Sequence, residues 1–266
     1  MPFEQITSLQ NPSVKKIVEL REPKARRESG LIVIDGLREV SMALNAGVKL
    51  ERVYYCPKFL NPKDHAAILE KISKSGAEIL EASDAVFHKI AFGDRQEMVA
   101  VAKAPQSQMG QWTKIKNPLY IVLETLEKPG NLGAILRTAE AAGVSGVIVC
   151  EKKTDIYNPN VIRSSLGTVF TVAVTATSNE ECLEFLRERR VVVAAAFPSA
   201  KKFYTQVDLS KPAAVILGSE GQGLTDFWDK AADEKIKIPL LGKVDSLNVS
   251  VSAAVIIYES LRQRSH

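Results

Sequence analysis

Leu119-Tyr-Ile-Val-Leu-Glu-Thr-Leu-Glu-Lys-Pro-Gly-Asn-Leu-Gly-Ala-Ile-Leu-Arg137 changes periodicity once along its length. Residues 119–124 are apolar at nearly every position, as a strand covered on both faces requires. After the Pro-Gly break the pattern turns helical, predicting a helix over about 132–142. Asn131 is placed to cap that helix, and Gly133 allows another backbone to come close. Arg137 follows Asn131 by six residues, nearly two turns, so both are expected near one face. Strand, loop and helix in this order form the repeating unit of a parallel α/β sheet.

The same alternation continues outward. Gly146–Cys150, Val169–Val174, Val191–Ala196, Ala213–Leu217 and Lys235–Ile238 read as short strands, almost wholly apolar. Helices are expected at about 179–190, 224–231 and 248–264. The expected architecture from residue 118 to 266 is an open α/β domain whose ligand sits at the carboxyl ends of its strands. Residues 105–117 are polar, contain Pro105 and Gly110, and read as a linker. Before it, residues 1–104 alternate strands near 31–34, 53–56, 78–80 and 98–103 with helices near 12–20, 37–45 and 62–74 and from Ser83. That order predicts a small α/β sandwich.

Composition narrows the chemistry. The 266 residues are 45% hydrophobic and 25% charged, enough for one large domain or two modest ones. No apolar run reaches membrane-span length and the N-terminus lacks a signal-peptide pattern, so a cytoplasmic protein without membrane contact is expected. Cys56, Cys150 and Cys182 are far apart in sequence and sit in or beside apolar stretches, as reduced core residues do. His65, His88 and His266 are equally scattered, and no metal site is expected. The net charge of +4 permits an acidic partner without demanding one. Lys15, Lys16, Arg21, Lys24, Arg26 and Arg27 cluster near the N-terminus, but Glu19, Glu22 and Glu28 are interleaved, so a solvated helix face competes with a nucleic-acid contact.

Two further loops stand out. Leu217-Gly-Ser-Glu-Gly-Gln-Gly223 follows a strand, is dense in glycine, and lacks the spacing of a dinucleotide fingerprint or a P-loop. Its exposed backbone could serve a flat ligand such as adenine. Ile238-Pro-Leu-Leu-Gly-Lys-Val-Asp-Ser-Leu-Asn248 leaves a strand and enters the last helix, where Ser246 or Asn248 would serve as N-cap. Taken singly, each loop has an ordinary structural reading: a capped helix with a surface arginine, a solvated turn around Glu220, and an N-cap.

Together they resemble the three signature motifs of the SpoU (TrmH) family of RNA 2′-O-methyltransferases in the SPOUT superfamily. Asn131, Gly133 and Arg137 match the first motif; Gly218, Glu220, Gly221 and Gly223 the second; Ile238, Pro239, Ser246, Leu247 and Asn248 the third. The first domain resembles the family's RNA-binding extension, a ribosomal-protein-type module, with Gly30-Leu-Ile-Val-Ile-Asp-Gly-Leu-Arg38 as its central strand and turn. A glutamate is more usual there where Asp35 stands. The resemblance implies a deep trefoil knot, which periodicity does not reveal, and a homodimer with catalytic residues supplied across its interface. It also implies S-adenosylmethionine held by Leu217, Gly218, Gly223, Ile238, Leu240 and Leu247.

The implied catalytic set is Arg137, Asn131, Glu220, Ser246 and Asn248. The family role of Arg137 as proton acceptor meets a chemical obstacle, because a guanidinium holds its proton too tightly to serve readily as a base. A cation that stabilises the developing alkoxide, or grips the neighbouring phosphate, is the preferred role. The extra N-terminal domain favours ribosomal over transfer RNA as partner. Alternatives are a transfer-RNA ribose methyltransferase, a SPOUT base methyltransferase and a non-catalytic RNA-binding or ribosome-assembly factor. A nicotinamide-dependent dehydrogenase lacks its fingerprint here.

Overall fold

The structure is a computed structural model that describes residues 3–92, 97–113, 115–151 and 153–265. In chain order its first elements are β1 (Glu4–Ile6), α1 (Pro12–Glu19), α2 (Pro23–Ser29), β2 (Leu31–Asp35), α3 (Leu37–Asn45), β3 (Leu50–Tyr55), α4 (Ala66–Lys74), β4 (Glu78–Ala82), α5 (Asp84–Ile90) and β5 (Met98–Lys103). Next come β6 (Leu119–Glu124), α6 (Pro129–Ala141), β7 (Gly146–Cys150), α7 (Pro159–Ser164), β8 (Val174–Thr177) and α8 (Asn179–Glu188). The last are β9 (Val192–Ala196), β10 (Lys202–Phe203), β11 (Ala213–Leu217), α9 (Asp226–Ala231), β12 (Glu234–Lys237) and α10 (Val249–Arg264). They fall into two compact units: residues up to Gln106 with Tyr157–Thr171, and Ser107–Ile156 with Val172 onward.

The first unit is built on a mixed sheet of order β1-β4-β3-β5-β2. β1, β4 and β3 run parallel, and β5 is antiparallel to both β3 and β2. Val33, Tyr54, Leu80 and Val99 pack on one face with Val14 and Ile17 of α1 and Val86 and Phe87 of α5. The alternate residues Ile32, Ile34, Val53 and Ala100 are buried as well, so both faces of the sheet are covered. Arg26, although charged, is buried and donates to the Leu20 and Arg21 carbonyls at 2.8 and 2.7 Å. Arg21 donates to the Lys89 and Ala91 carbonyls, both at 2.9 Å. Lys16 and Lys24 face Glu19 and Glu28 on their own helices. Much of the N-terminal basic run is therefore spent within the fold. Burial pushes the Asp35 carboxyl up to about 7, against the pull of the Phe92 N–H and the Arg163 guanidinium.

The second unit carries a seven-stranded sheet of order β10-β12-β9-β11-β6-β7-β8, parallel at every pairing. Tyr120, Val122, Ile148, Val193 and Ile216 pack on one face with Phe185 and Leu186 of α8 and Trp228 of α9. The opposite parity, Ile121, Leu123, Val147, Val149 and Val215, is equally buried, as are Leu132, Ile135 and Leu136 of α6 and Ile256 and Ile257 of α10. α6 and α10 pack against each other. This double burial is why the strands lack alternation in sequence.

Several local expectations need correction. The helix after β6 starts at Pro129 rather than at Leu132, because the fixed φ of proline suits the first helical position. Lys128 is the N-cap residue and makes no side-chain cap, so Asn131 lies inside the first turn with its amide available for other work. The β-branched run at 169–174 is not a strand at first. Gly167 turns with φ +83, and the Ser165 and Thr168 hydroxyls donate to the Ile162 and Ser165 carbonyls, both at 2.9 Å, which favours a short 3₁₀ turn. β8 follows only from Val174.

The polar segment read as a linker at 105–117 carries a 3₁₀ turn at Met109–Gln111. The Trp112 ring stacks on Tyr120 at 6.0 Å and meets Phe185 edge-on at 5.8 Å. Residues 157–171, expected within the second domain, cluster with the first unit. Sequence reading also passed over α2 and α7, although each begins with a proline at its first turn. Among the described residues no helix is long and apolar enough to cross a membrane.

Candidate active site

A cavity of about 420 Å³ opens where β9, β11 and β12 end, in the second unit. Leu217, Gly218, Gly223, Ile238, Leu240 and Leu247 all line it, together with Ser246. Phe197, Leu224 and Val249 add apolar wall that sequence reading did not single out. The volume lies in the range of small-molecule sites, and an apolar wall with a few polar groups is the usual composition of one.

The glycine loop owes its shape to close backbone packing. Gly223 has φ +68, and its N–H donates to the Ser219 carbonyl at 3.0 Å, folding the loop back on itself. A Cβ on Gly218 would lie 2.2 Å from the Gly223 carbonyl carbon and 2.4 Å from the Leu224 nitrogen. No side chain fits there, so glycine is obligatory at 218. Gly218, Gly221 and Gly223 thus add no side chains to this stretch of the cavity lining, which leaves room for a flat heterocycle beside the backbone.

Glu220, in the middle of that loop, joins the other two. Its carboxylate accepts from Asn131 Nδ2 at 3.0 Å and from Asn248 Nδ2, and forms an ion pair with Lys128. Asn248 Nδ2 also donates to Asn131 Oδ1 at 3.2 Å, closing a triangle. Asn248 Oδ1 accepts from the Ser250 N–H at 2.9 Å and so caps α10. The Lys128 ammonium, then the Asn131 amide, hold the Glu220 carboxyl below the usual carboxylate range, and Glu220 raises Lys128 in return. The Glu220 and Lys128 side chains are 27% and 70% exposed, so the pair contributes orientation more than stability.

Arg137 stands apart from this triangle. It is exposed on α6 and makes no hydrogen bond or ion pair among the described residues. Helix geometry explains the separation: six residues at about 100° each leave Arg137 roughly 120° around the axis from Asn131, not on its face. Ser246 is exposed at the cavity rim. The structure thus brings Asn131, Glu220 and Asn248 together and leaves Arg137 directed to solvent. Lys128 belongs to the cluster and was missed; its signal was its place, three residues before Asn131 and next to the helix-starting proline. Among the described residues no group of three or more His, Cys, Asp or Glu side chains could hold a metal ion.

A doubly covered parallel α/β unit, with a glycine-walled cavity at its strand ends and a polar cluster at the rim, defines an enzyme domain that takes a flat, nucleoside-sized ligand. Residues 118–258 match the SpoU rRNA Methylase family and residues 11–101 match the MRM3-like substrate binding domain, and the chain belongs to the SpoU methylase family. The 23S rRNA (guanosine-2'-O-)-methyltransferase RlmB of Bordetella pertussis is 33% identical, over 87% of this chain and 97% of that protein. The crystal structure of an RNA 2'-O ribose methyltransferase matches with TM-score 0.84 at 38% identity, covering 98% of this chain and 100% of that one. An AdoMet-bound rRNA methyltransferase from Sinorhizobium meliloti matches with TM-score 0.89 at 28% identity, covering 98% of each chain. The family resemblance carried by the three loops is borne out, and with it the SpoU-type α/β fold and an RNA methyltransferase activity.

Proposed function

We propose that this enzyme methylates ribose 2′-hydroxyls of ribosomal RNA, in the cytoplasm and as a homodimer, with S-adenosylmethionine in the cavity at the ends of β9, β11 and β12. The observation that carries the reading is the Asn131–Glu220–Asn248 triangle, which ties the three motif loops together beside a cavity of nucleoside size. Leu217, Gly218, Gly223, Ile238, Leu240 and Leu247 would hold the cofactor, with the apolar walls taking adenine. The threading of the C-terminal segment into a trefoil knot is part of the same proposal. When bound, S-adenosylmethionine supplies an electrophilic methyl on a sulfonium with a neutral leaving group.

A ribose 2′-hydroxyl is a weak nucleophile at neutral pH, so the protein must align it and help remove its proton. The Arg137 guanidinium stabilises the developing alkoxide or grips the adjacent phosphate, while water or a phosphate oxygen carries the proton. Because Arg137 points away from its own triangle, it serves the site of the second protomer. α10 offers a surface for that pairing: Val251 and Tyr258, two turns apart on one face, are 48% and 51% exposed. Asn131 and Asn248 orient the ribose, Glu220 holds both amides, and Ser246 positions groups around the nucleophile. The substrate-binding unit and the relatives that act on 23S rRNA favour ribosomal over transfer RNA.

The test is incubation of purified protein with methyl-labelled S-adenosylmethionine and either ribosomal or transfer RNA, beside the Arg137→Ala variant. Label is expected in ribosomal RNA with wild type and lost by at least about a hundredfold with the variant. Full activity in Arg137→Ala contradicts the assignment, and label confined to transfer RNA contradicts the substrate.

A further inference from the structure

Glu124 is the last residue of β6 and is fully buried. A carboxylate offers only acceptors, and burying it costs free energy unless donors surround it. Three do. Asn179 Nδ2 and Thr225 Oγ1 donate to Oε1 at 2.6 and 2.8 Å, and the Thr225 N–H donates to Oε2 at 2.8 Å. The amide orientation is determined from outside: the indole N–H of Trp228, itself fully buried and donor only, bonds Asn179 Oδ1 at 2.9 Å. Asn179 Nδ2 is left facing Glu124.

Thr225 is the residue immediately after the loop 218–224, every residue of which lines the cavity. The upstream end of that loop is held by the pairing of Leu217 with Leu123 on β6. Its downstream end is held by the two Thr225 bonds to Glu124. Both ends are therefore anchored to consecutive residues of one strand. Thr225 is also the N-cap of α9, yet its side chain makes no cap bond there, its hydroxyl hydrogen going to Glu124 instead.

We propose that Glu124, acting through Thr225, is a positioning residue that sets the shape of the 218–224 loop and thereby the affinity for S-adenosylmethionine. The inference rests on the assignment of the cavity to that cofactor. Neither residue lines the cavity, so the effect reaches the ligand through loop geometry alone.

The experiment uses the full chain and titrates S-adenosylhomocysteine calorimetrically into wild type, Thr225→Val, Thr225→Ser and Glu124→Gln, with thermal unfolding of each. Thr225 is exposed, so both of its variants fold even if Glu124→Gln does not. Thr225→Val keeps the shape and removes the hydroxyl. It is expected to weaken binding about tenfold and to lower the unfolding midpoint, because the buried carboxylate loses a donor, while Thr225→Ser retains wild-type affinity and midpoint. Faster hydrogen exchange at residues 219–224 in Thr225→Val is the expected companion. Unchanged affinity in Thr225→Val, or a loss in Thr225→Ser equal to that in Thr225→Val, overturns the inference alone. Wild-type protein that does not bind S-adenosylhomocysteine overturns the cavity assignment and this inference with it.

Discussion

Glu220 shows how one side chain can organise a site that its own exposure would not suggest. Its carboxylate takes two amide donors and an ammonium from the other motif segments, so Glu220→Gln would oppose an amide N–H₂ to the Asn131 or Asn248 donors. We expect that variant to lose about tenfold or more in methyl transfer, with an unfolding midpoint near that of wild type, since the cluster is solvent-exposed. An equal loss from Lys128→Ala would mean that charge pairing, rather than the amide triangle, holds the loops. Asp35 makes a separate prediction. Its folded pKa of about 7 lies above the ordinary 3.8, so the fold binds more protons than the unfolded chain between those values. Stability is expected to fall as pH rises through that window and to level off above it. Asp35→Asn should flatten the profile in pH-dependent denaturant melts, and an unaltered slope would refute the assignment. Asn131, Glu220 and Asn248 were legible in the sequence as motif residues. The position of Arg137 was not, because six residues fall one short of the seven that bring a helix back to nearly the same face.

At the level of elements, the sheet of the second unit was legible because burial on both faces leaves an unbroken apolar run, and four of its seven strands, β6, β7, β9 and β11, coincide with such runs, whereas β12 alternates lysine and isoleucine. The exceptions have physical causes. Hydroxyl bonds to the backbone fold 168–170 into a turn despite its β-branched residues, and β10 is only two residues long. Trp112 was hidden inside a polar segment, yet its ring occupies the space over Gly146, where a Cβ would meet it at 2.3 Å. The glycine loop yields the clearest test at this scale. Gly218→Ala requires the backbone at 223–224 to move, so cofactor affinity should drop by at least about tenfold while the secondary structure seen by circular dichroism is retained. Wild-type affinity in Gly218→Ala would show that the close approach at this turn is not needed.

For the whole molecule, residues 157–171 cluster with the first compact unit, a return that local pattern in the sequence does not carry. Short-range periodicity carries no information on which sheet a later helix joins. The proposed knot and dimer likewise rest on family resemblance rather than on spacing. If Val251 and Tyr258 lie at a dimer interface, Tyr258→Glu should convert a dimer to a monomer in sedimentation velocity and abolish turnover, while leaving cofactor binding within about threefold. A dimer that persists in that variant would remove α10 from the interface. The central claim, methyl transfer to a ribose oxygen, is tested most directly by the chemistry of the product. RNA labelled by the wild-type enzyme should be digested with alkali and the label followed by chromatography. A 2′-O-methyl group blocks cleavage of the neighbouring phosphodiester, so the account predicts label in alkali-resistant dinucleotides. Label recovered in mononucleotides would place the methyl on a base and contradict it.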